Sequence, residues 1–308
     1  MTKTLLTLAG RLCLALSASL ALAETSDVAK ILKDAATEVS YLSFDQALPI
    51  FGEAQRLAAE GSEQWQTAVF GRAICLQQIA PVTADRLGQS TSLYTSLIER
   101  FPQGTYTQQC LMALGRIEEL VDYLGDQPRR PEARTWYEKA RDTAPVNAPI
   151  SHEAMLRIAS TYVQSYEPKQ CQMAMTILED WLKKYPDNPL ASAMWQYSGD
   201  TWFWPLGDEK KAVNCYLKAD ELGLLEKGRE GPTYWRMAVL AERNDLRETA
   251  IAYYSKVITK TPTSGKAFEA QLALKRMGVP VPSIDLFERR ENQATTQPAD
   301  PAKLMERS

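Results

Sequence analysis

The sequence predicts a protein built from helices alone, arranged as repeated helical hairpins, on three observations. Apolar residues recur three and four places apart in segments such as RTWYEKARDTA, MTILEDWLKKY and AIAYYSKVITK, which gathers them on one helix face. The strict alternation and hairpin turns that announce strands are missing from the sequence. A small residue followed four places later by a large one returns at a pitch of about forty residues, which marks a repeat.

Taken in order, the first 23 residues stand apart. Lys3 and Arg11 precede or enter the apolar run LCLALSASLALA, and Ala21-Leu22-Ala23 supplies a small-x-small cleavage signal before Glu24. This reads as a secretory signal peptide, because the run falls short of the roughly 20 residues that cross a bilayer. Cys13 lies inside the run and no cysteine follows the cleavage site, so no lipid anchor is expected. No later segment is apolar enough to span a membrane.

Next come the repeats. The pairs are Ala47/Phe51, Ser90/Tyr94, Ala133/Tyr137, Ala174/Leu178, Ala212/Tyr216 and Ala250/Tyr254, at steps of 43, 43, 41, 38 and 38 residues. Eight places after the larger member stand Ala59, Pro102, Pro145, Pro186, Leu224 and Pro262. The small member lets a neighbouring helix approach, the large one fills the gap a turn later, and proline, lacking an N–H, stops the helix. Each hairpin then carries an apolar face that only its neighbours can bury.

These residues resemble the tetratricopeptide repeat, whose second helix carries Ala, an aromatic four later, Ala three after that and Pro five beyond. ARTWYEKARDTAP meets that pattern with Ala133, Tyr137, Ala140 and Pro145, and ALPIFGEA meets its first part with Ala47, Phe51 and Ala54. In the first helices the close-packing position falls on Gly71, Gly115, Ala159, Gly199 and Ala238, with Ile74, Tyr162 and Trp202 three later. YWRMAVLAERNDLRETAIAYYSKVITKTP fits without a gap, whereas Asp34 in the first hairpin stands where an apolar residue is expected. Endings such as ERFPQGTYTQQCLMAL look like the variant found in envelope proteins of Gram-negative bacteria. The resemblance implies a right-handed superhelical solenoid of about six hairpins over residues 24–278. SGKAFEAQLALKRMG is its capping helix, and the proline-bearing tail 279–308 is expected to be disordered. Within that tail SIDLFERR reads either as a docking motif or as plain linker.

Function follows partly by exclusion. Loss of Lys3 and Arg11 with the signal takes the basic residues from 35 to 33 against 38 acidic ones, a net charge near −5. A mildly acidic chain with no basic run is unsuited to a phosphate backbone, so nucleic acid is not expected as a partner. Cys75, Cys110, Cys171 and Cys215 are too widely spaced for a zinc site. They read as buried free thiols, with Cys75–Cys110 and Cys171–Cys215 disulfides as the alternative in an oxidising compartment. His152, the single histidine, sits in APISHEAML and reads as an exposed residue at a helix start. No GxxxxGK, GxGxxG, HExxH or GxSxG segment occurs. The adjacent acids Glu118/Glu119 and Glu179/Asp180 read as solvated helix faces. No catalysis, cofactor or metal is expected.

The segment GDTWFWPLGDEKK holds the densest aromatic cluster. Its register puts Trp195 and Trp202 on the buried stripe, and Pro205 should keep Trp204 out of the helical conformation. By the resemblance, Phe203 and Trp204, Trp235 and Val239, and Leu156, Ser160 and Val163 fall at positions facing a concave groove. Such a surface suits an extended peptide or amphipathic helix. The sequence therefore reads as a secreted, periplasmic, non-catalytic scaffold for a protein or peptide. The alternatives are a binder of cell-wall glycan through exposed aromatics and an enzyme using isolated acids in the groove.

Overall fold

The computed structural model describes residues 27–120, 127–145, 147–224 and 230–283. The signal segment 1–23 and all of the tail beyond Ser283 lie outside the described residues. The described residues are all-helical, with thirteen α-helices and no strand. They fall into two compact units, one ending at Leu178 and the other starting at Glu179.

The first unit begins with α1 (Asp27–Ser40), α2 (Phe44–Leu57), α3 (Glu63–Gln78) and α4 (Ala84–Arg100), followed by α5 (Thr107–Leu120), α6 (Arg130–Thr143) and α7 (Pro149–Val163). Each packs on the next, and α1 also meets α3 as α5 meets α7. Helix α8 (Pro168–Lys184) carries the unit boundary. The second unit continues with α9 (Ala191–Phe203), α10 (Glu209–Glu221), α11 (Gly231–Arg243), α12 (Arg247–Lys260) and α13 (Ala267–Arg276), again packed consecutively.

The repeat pairs form the core of both units. All twelve residues from Ala47/Phe51 to Ala250/Tyr254 are at most 1% exposed. Three glycines show why the close-packing position excludes side chains. A Cβ on Gly71 would lie 2.4 Å from the Phe51 ring, one on Gly115 2.4 Å from Tyr137, and one on Gly199 2.7 Å from Tyr216. The bulky ring thus takes the place of the missing side chain on the facing helix. Tyr137 and Tyr216 seat on the helix preceding their own, whereas Phe51 seats on the helix that follows it.

Helix ends obey local chemistry. Helices α4, α6, α8 and α12 stop at Arg100, Thr143, Lys184 and Lys260, each two residues before Pro102, Pro145, Pro186 and Pro262. Ser62 and Asp208 cap α3 and α10 by accepting from the amides of Trp65 and Lys211, at 3.2 and 3.0 Å. In α1, Leu32, Ala35 and Val39 supply the buried stripe, so Asp34 can remain exposed.

Two expectations need correction. His152 is buried, only 5% exposed, because α7 turns it inward with Ala154 and Ile158 rather than leaving it at a solvated helix start. Of the adjacent acids, Glu179 and Asp180 are exposed, but Glu119 is 2% exposed and Glu118 half-buried. Glu119 lies four places after Gly115, on the stripe that faces Tyr137, so register draws it inward.

Candidate functional site

In the second unit the aromatic cluster occupies the last turn of α9. Gly199 lies beneath the Tyr216 ring, and Trp202 is buried with the Lys211 ammonium 3.8 Å above its ring. Trp195 is half-buried rather than fully enclosed. Phe203 is also half-buried, and the ring of Trp204 meets it edge-on at 4.5 Å. Trp204 itself is 66% exposed.

The backbone here departs from the sequence expectation. Trp204 precedes Pro205 yet keeps right-handed helical angles, φ −79° and ψ −62°, and its N–H still donates to Asp200 O at 2.9 Å. The conformation is disfavoured before proline, not forbidden. Asp208 N donates to Trp202 O at 2.8 Å and Gly207 takes φ +67°, which together close the turn. The consequence is an indole held on an ordered turn and directed to solvent.

Trp235 and Val239, on α11, are both half-buried. The Trp235 ring packs on Tyr254 at 5.4 Å, with the Lys266 ammonium 5.2 Å from its centroid. Beside them Asp200 Oδ1 accepts from the Tyr216 hydroxyl and from Arg236 Nη1, both at 2.6 Å, joining α9, α10 and α11. Burial, and then the Asp200 carboxylate, push the Tyr216 hydroxyl well above its ordinary pKa.

In the first unit Leu156, Ser160 and Val163 are half-buried on α7. Ser160 belongs to a polar network that sequence reasoning missed. Its hydroxyl accepts from Gln164 Nε2 at 3.1 Å, and the same amide donates to Glu119 Oε1 at 2.5 Å. Glu119 Oε2 accepts from the Tyr137 hydroxyl at 2.6 Å and from Arg116 Nη1 at 3.4 Å. The signal lay in the register, since Gly115 and Glu119 are one turn apart.

The same tie recurs along the chain. Tyr94 donates to Gln77 at 2.9 Å, Tyr137 to Glu119, Tyr216 to Asp200, and Tyr254 to Glu242 at 2.7 Å. Each large ring thus fills the helix gap and hydrogen-bonds across it. In the last three ties the acid also accepts from an arginine: Glu119 from Arg116, Asp200 from Arg236 and Glu242 from Arg276. Among the described residues no group of three or more His, Cys, Asp and Glu is placed to hold a metal ion. No described helix is long and apolar enough to cross a membrane.

Four of the seven sequence-predicted contact residues, Phe203, Trp204, Trp235 and Val239, therefore belong to the second unit, and three to the first. Trp204 alone among them is strongly exposed. No family model matches the chain, and no curated protein matches it significantly.

Proposed function

We propose that this chain is a non-catalytic scaffold of the bacterial envelope that binds a protein or peptide. On this reading residues 1–23 export it to the periplasm and are removed. Six tetratricopeptide-like hairpins and the cap α13, wound right-handed as the resemblance implies, form the scaffold. In the second unit the contact surface is Phe203, Trp204, Trp235 and Val239; in the first it is Leu156, Ser160 and Val163. The observation that carries the reading is Trp204, a large indole exposed on an ordered helix end. A solvent-facing aromatic fixed by its backbone gives contact area at little entropic cost.

A photo-cross-linking residue placed at position 204 in living cells should capture a protein. An excess of the wild-type chain should compete that capture away, whereas an excess of Trp204→Ala should not, although its helical circular-dichroism signal is unchanged. The exposed indole next to Phe203 also favours a second reading, in which it stacks on a sugar ring of the cell wall. Co-sedimentation with peptidoglycan, lost in Trp204→Ala without any protein capture, would select that reading. The export step predicts a periplasmic chain beginning at Glu24, as read by amino-terminal mass spectrometry, and an uncleaved chain retained in the cytoplasm would refute it.

A further inference from the structure

Helices α5, α9 and α13 are entered alike. Pro102, Pro186 and Pro262 each stand five residues before the first helical residue, Thr107, Ala191 and Ala267, across turns of one pattern. The three helices therefore correspond residue for residue: Gln108, Ser192 and Phe268; Met112, Gln196 and Leu272; Gly115, Gly199 and Lys275.

In α5 and α9 these positions face the helix that follows. Gln108 Nε2 donates to Thr143 O at the end of α6, at 3.3 Å, and the Ser192 hydroxyl donates to Ala219 O in α10, at 3.1 Å. Met112 is buried in one cluster with Ala133, Tyr137 and Ala140 of α6. Gly115 and Gly199 lie beneath the Tyr137 and Tyr216 rings. In α13 no described helix follows to cover the same face. Phe268 is 67% exposed and Leu272, one turn on, 49%, with Lys275 and Arg276 exposed beside them. The open end of a helical stack is ordinarily polar, so this apolar pair calls for a cover.

The sequence supplies one within reach. Gly278, at φ +70°, turns the chain off α13, with the Gly278 and Val279 amides donating to Lys275 O and Leu274 O, both at 3.0 Å. Residues 277–282 then separate α13 from Ser283, a spacing like 204–208 between α9 and α10 and 261–266 between α12 and α13. Next come Ile284, Leu286 and Phe287, and within 284–308 the only other large apolar residues are Leu304 and Met305. Asp285 and Glu288, interleaved with them, complement Lys275 and Arg276 in charge.

We propose that residues 284–288 dock on the outer face of α13 of their own chain, Ile284, Leu286 and Phe287 against Phe268 and Leu272, and close the end of the second unit. A short linker holds that segment at an effective concentration on the order of millimolar. Two exposed side chains offer far less than the roughly 800 Å² per partner of a stable dimer, so a second copy is the poorer occupant. The docking goes beyond the scaffold reading and uses none of its contact residues.

The test is a double-mutant cycle in the full chain, Phe268→Ala with Phe287→Ala, read by urea denaturation. Phe268→Ala should lower the folding equilibrium constant about fivefold in the wild-type background and change it little in the Phe287→Ala background, because residues in contact couple. Leu272→Cys paired with Phe287→Cys should also form a disulfide within one chain, under oxidised glutathione, about tenfold or more faster than Leu272→Cys paired with Ala302→Cys. Loop-closure entropy alone favours the nearer pair only about threefold.

Additive effects in the cycle overturn the proposal, as does a rate ratio no larger than loop closure gives. A disulfide formed between chains, with a urea midpoint that rises with protein concentration, overturns it in favour of a second copy. Additivity in a chain that stays monomeric overturns it in favour of another protein on α13. Trp204→Ala leaves the coupling in place, so failure here and failure of the scaffold reading are separable.

Discussion

A methyl group added to Gly115 would stand 2.4 Å from Cε1 of Tyr137, a ring fixed between two helices and hydrogen-bonded to Glu119. Neither the ring nor the helices can yield cheaply, so Gly115→Ala should lower stability by about 1–3 kcal/mol, the usual cost of overpacking. Gly88, on the exposed face of α4, has nothing within 4 Å of the same position. There Gly88→Ala should raise stability by about 0.5–1 kcal/mol, because glycine inside a helix loses more entropy on folding than alanine. Urea denaturation of both variants checks the pair, and equal effects would refute the seating scheme. At this scale the small and large members of each repeat were legible because steric complementarity leaves a fixed spacing. The burial of His152 was not, since one polar residue at a helix start carries no periodicity of its own.

Between elements, the tyrosine ties add direction to the packing. Glu242 on α11 accepts from Tyr254 on α12 and from Arg276 on α13. Burial works against its ionisation, but the Tyr254 hydroxyl and the Arg276 guanidinium outweigh that and hold the carboxyl below the usual range. A lowered carboxyl stabilises the fold fully above the unfolded value, about 4.3, and the contribution disappears as the pH falls through the lower folded value. Glu242→Gln should therefore narrow the difference in melting temperature between about pH 7 and about pH 3. Calorimetry at the two pH values decides, and an unchanged difference would show that the tie does not couple to protons. Because both side chains are partly exposed, the effect should also weaken in high salt. The prolines made four helix ends readable from sequence, since a missing N–H acts locally. Trp204 escaped that logic because the preference before proline is modest, and the bonds to Asp200 O and Trp202 O within the same turn outweigh it.

Across the whole molecule, the four cysteines Cys75, Cys110, Cys171 and Cys215 are buried free thiols. Burial pushes Cys75 and Cys215 up to about 12 and raises Cys110 and Cys171 as well. Ordinary thiols titrate near 8.5, so these hold very little thiolate at neutral pH and present no accessible sulfur. A thiol reagent such as DTNB should leave a chain prepared without residues 1–23 unmodified while folded. All four should react once guanidinium unfolds it without reductant, and fewer than four would reveal a disulfide. By itself the sequence determined that the chain is helical, where its close-packing positions fall and which helices proline ends. Those properties depend on neighbours three or four residues away and on sterics that repeat. Only the tertiary structure decided that Glu119 and Arg116 are enclosed and that Trp204 faces solvent. Burial of a charge and exposure of a ring depend on which other helices arrive at the same place, and no local spacing encodes that.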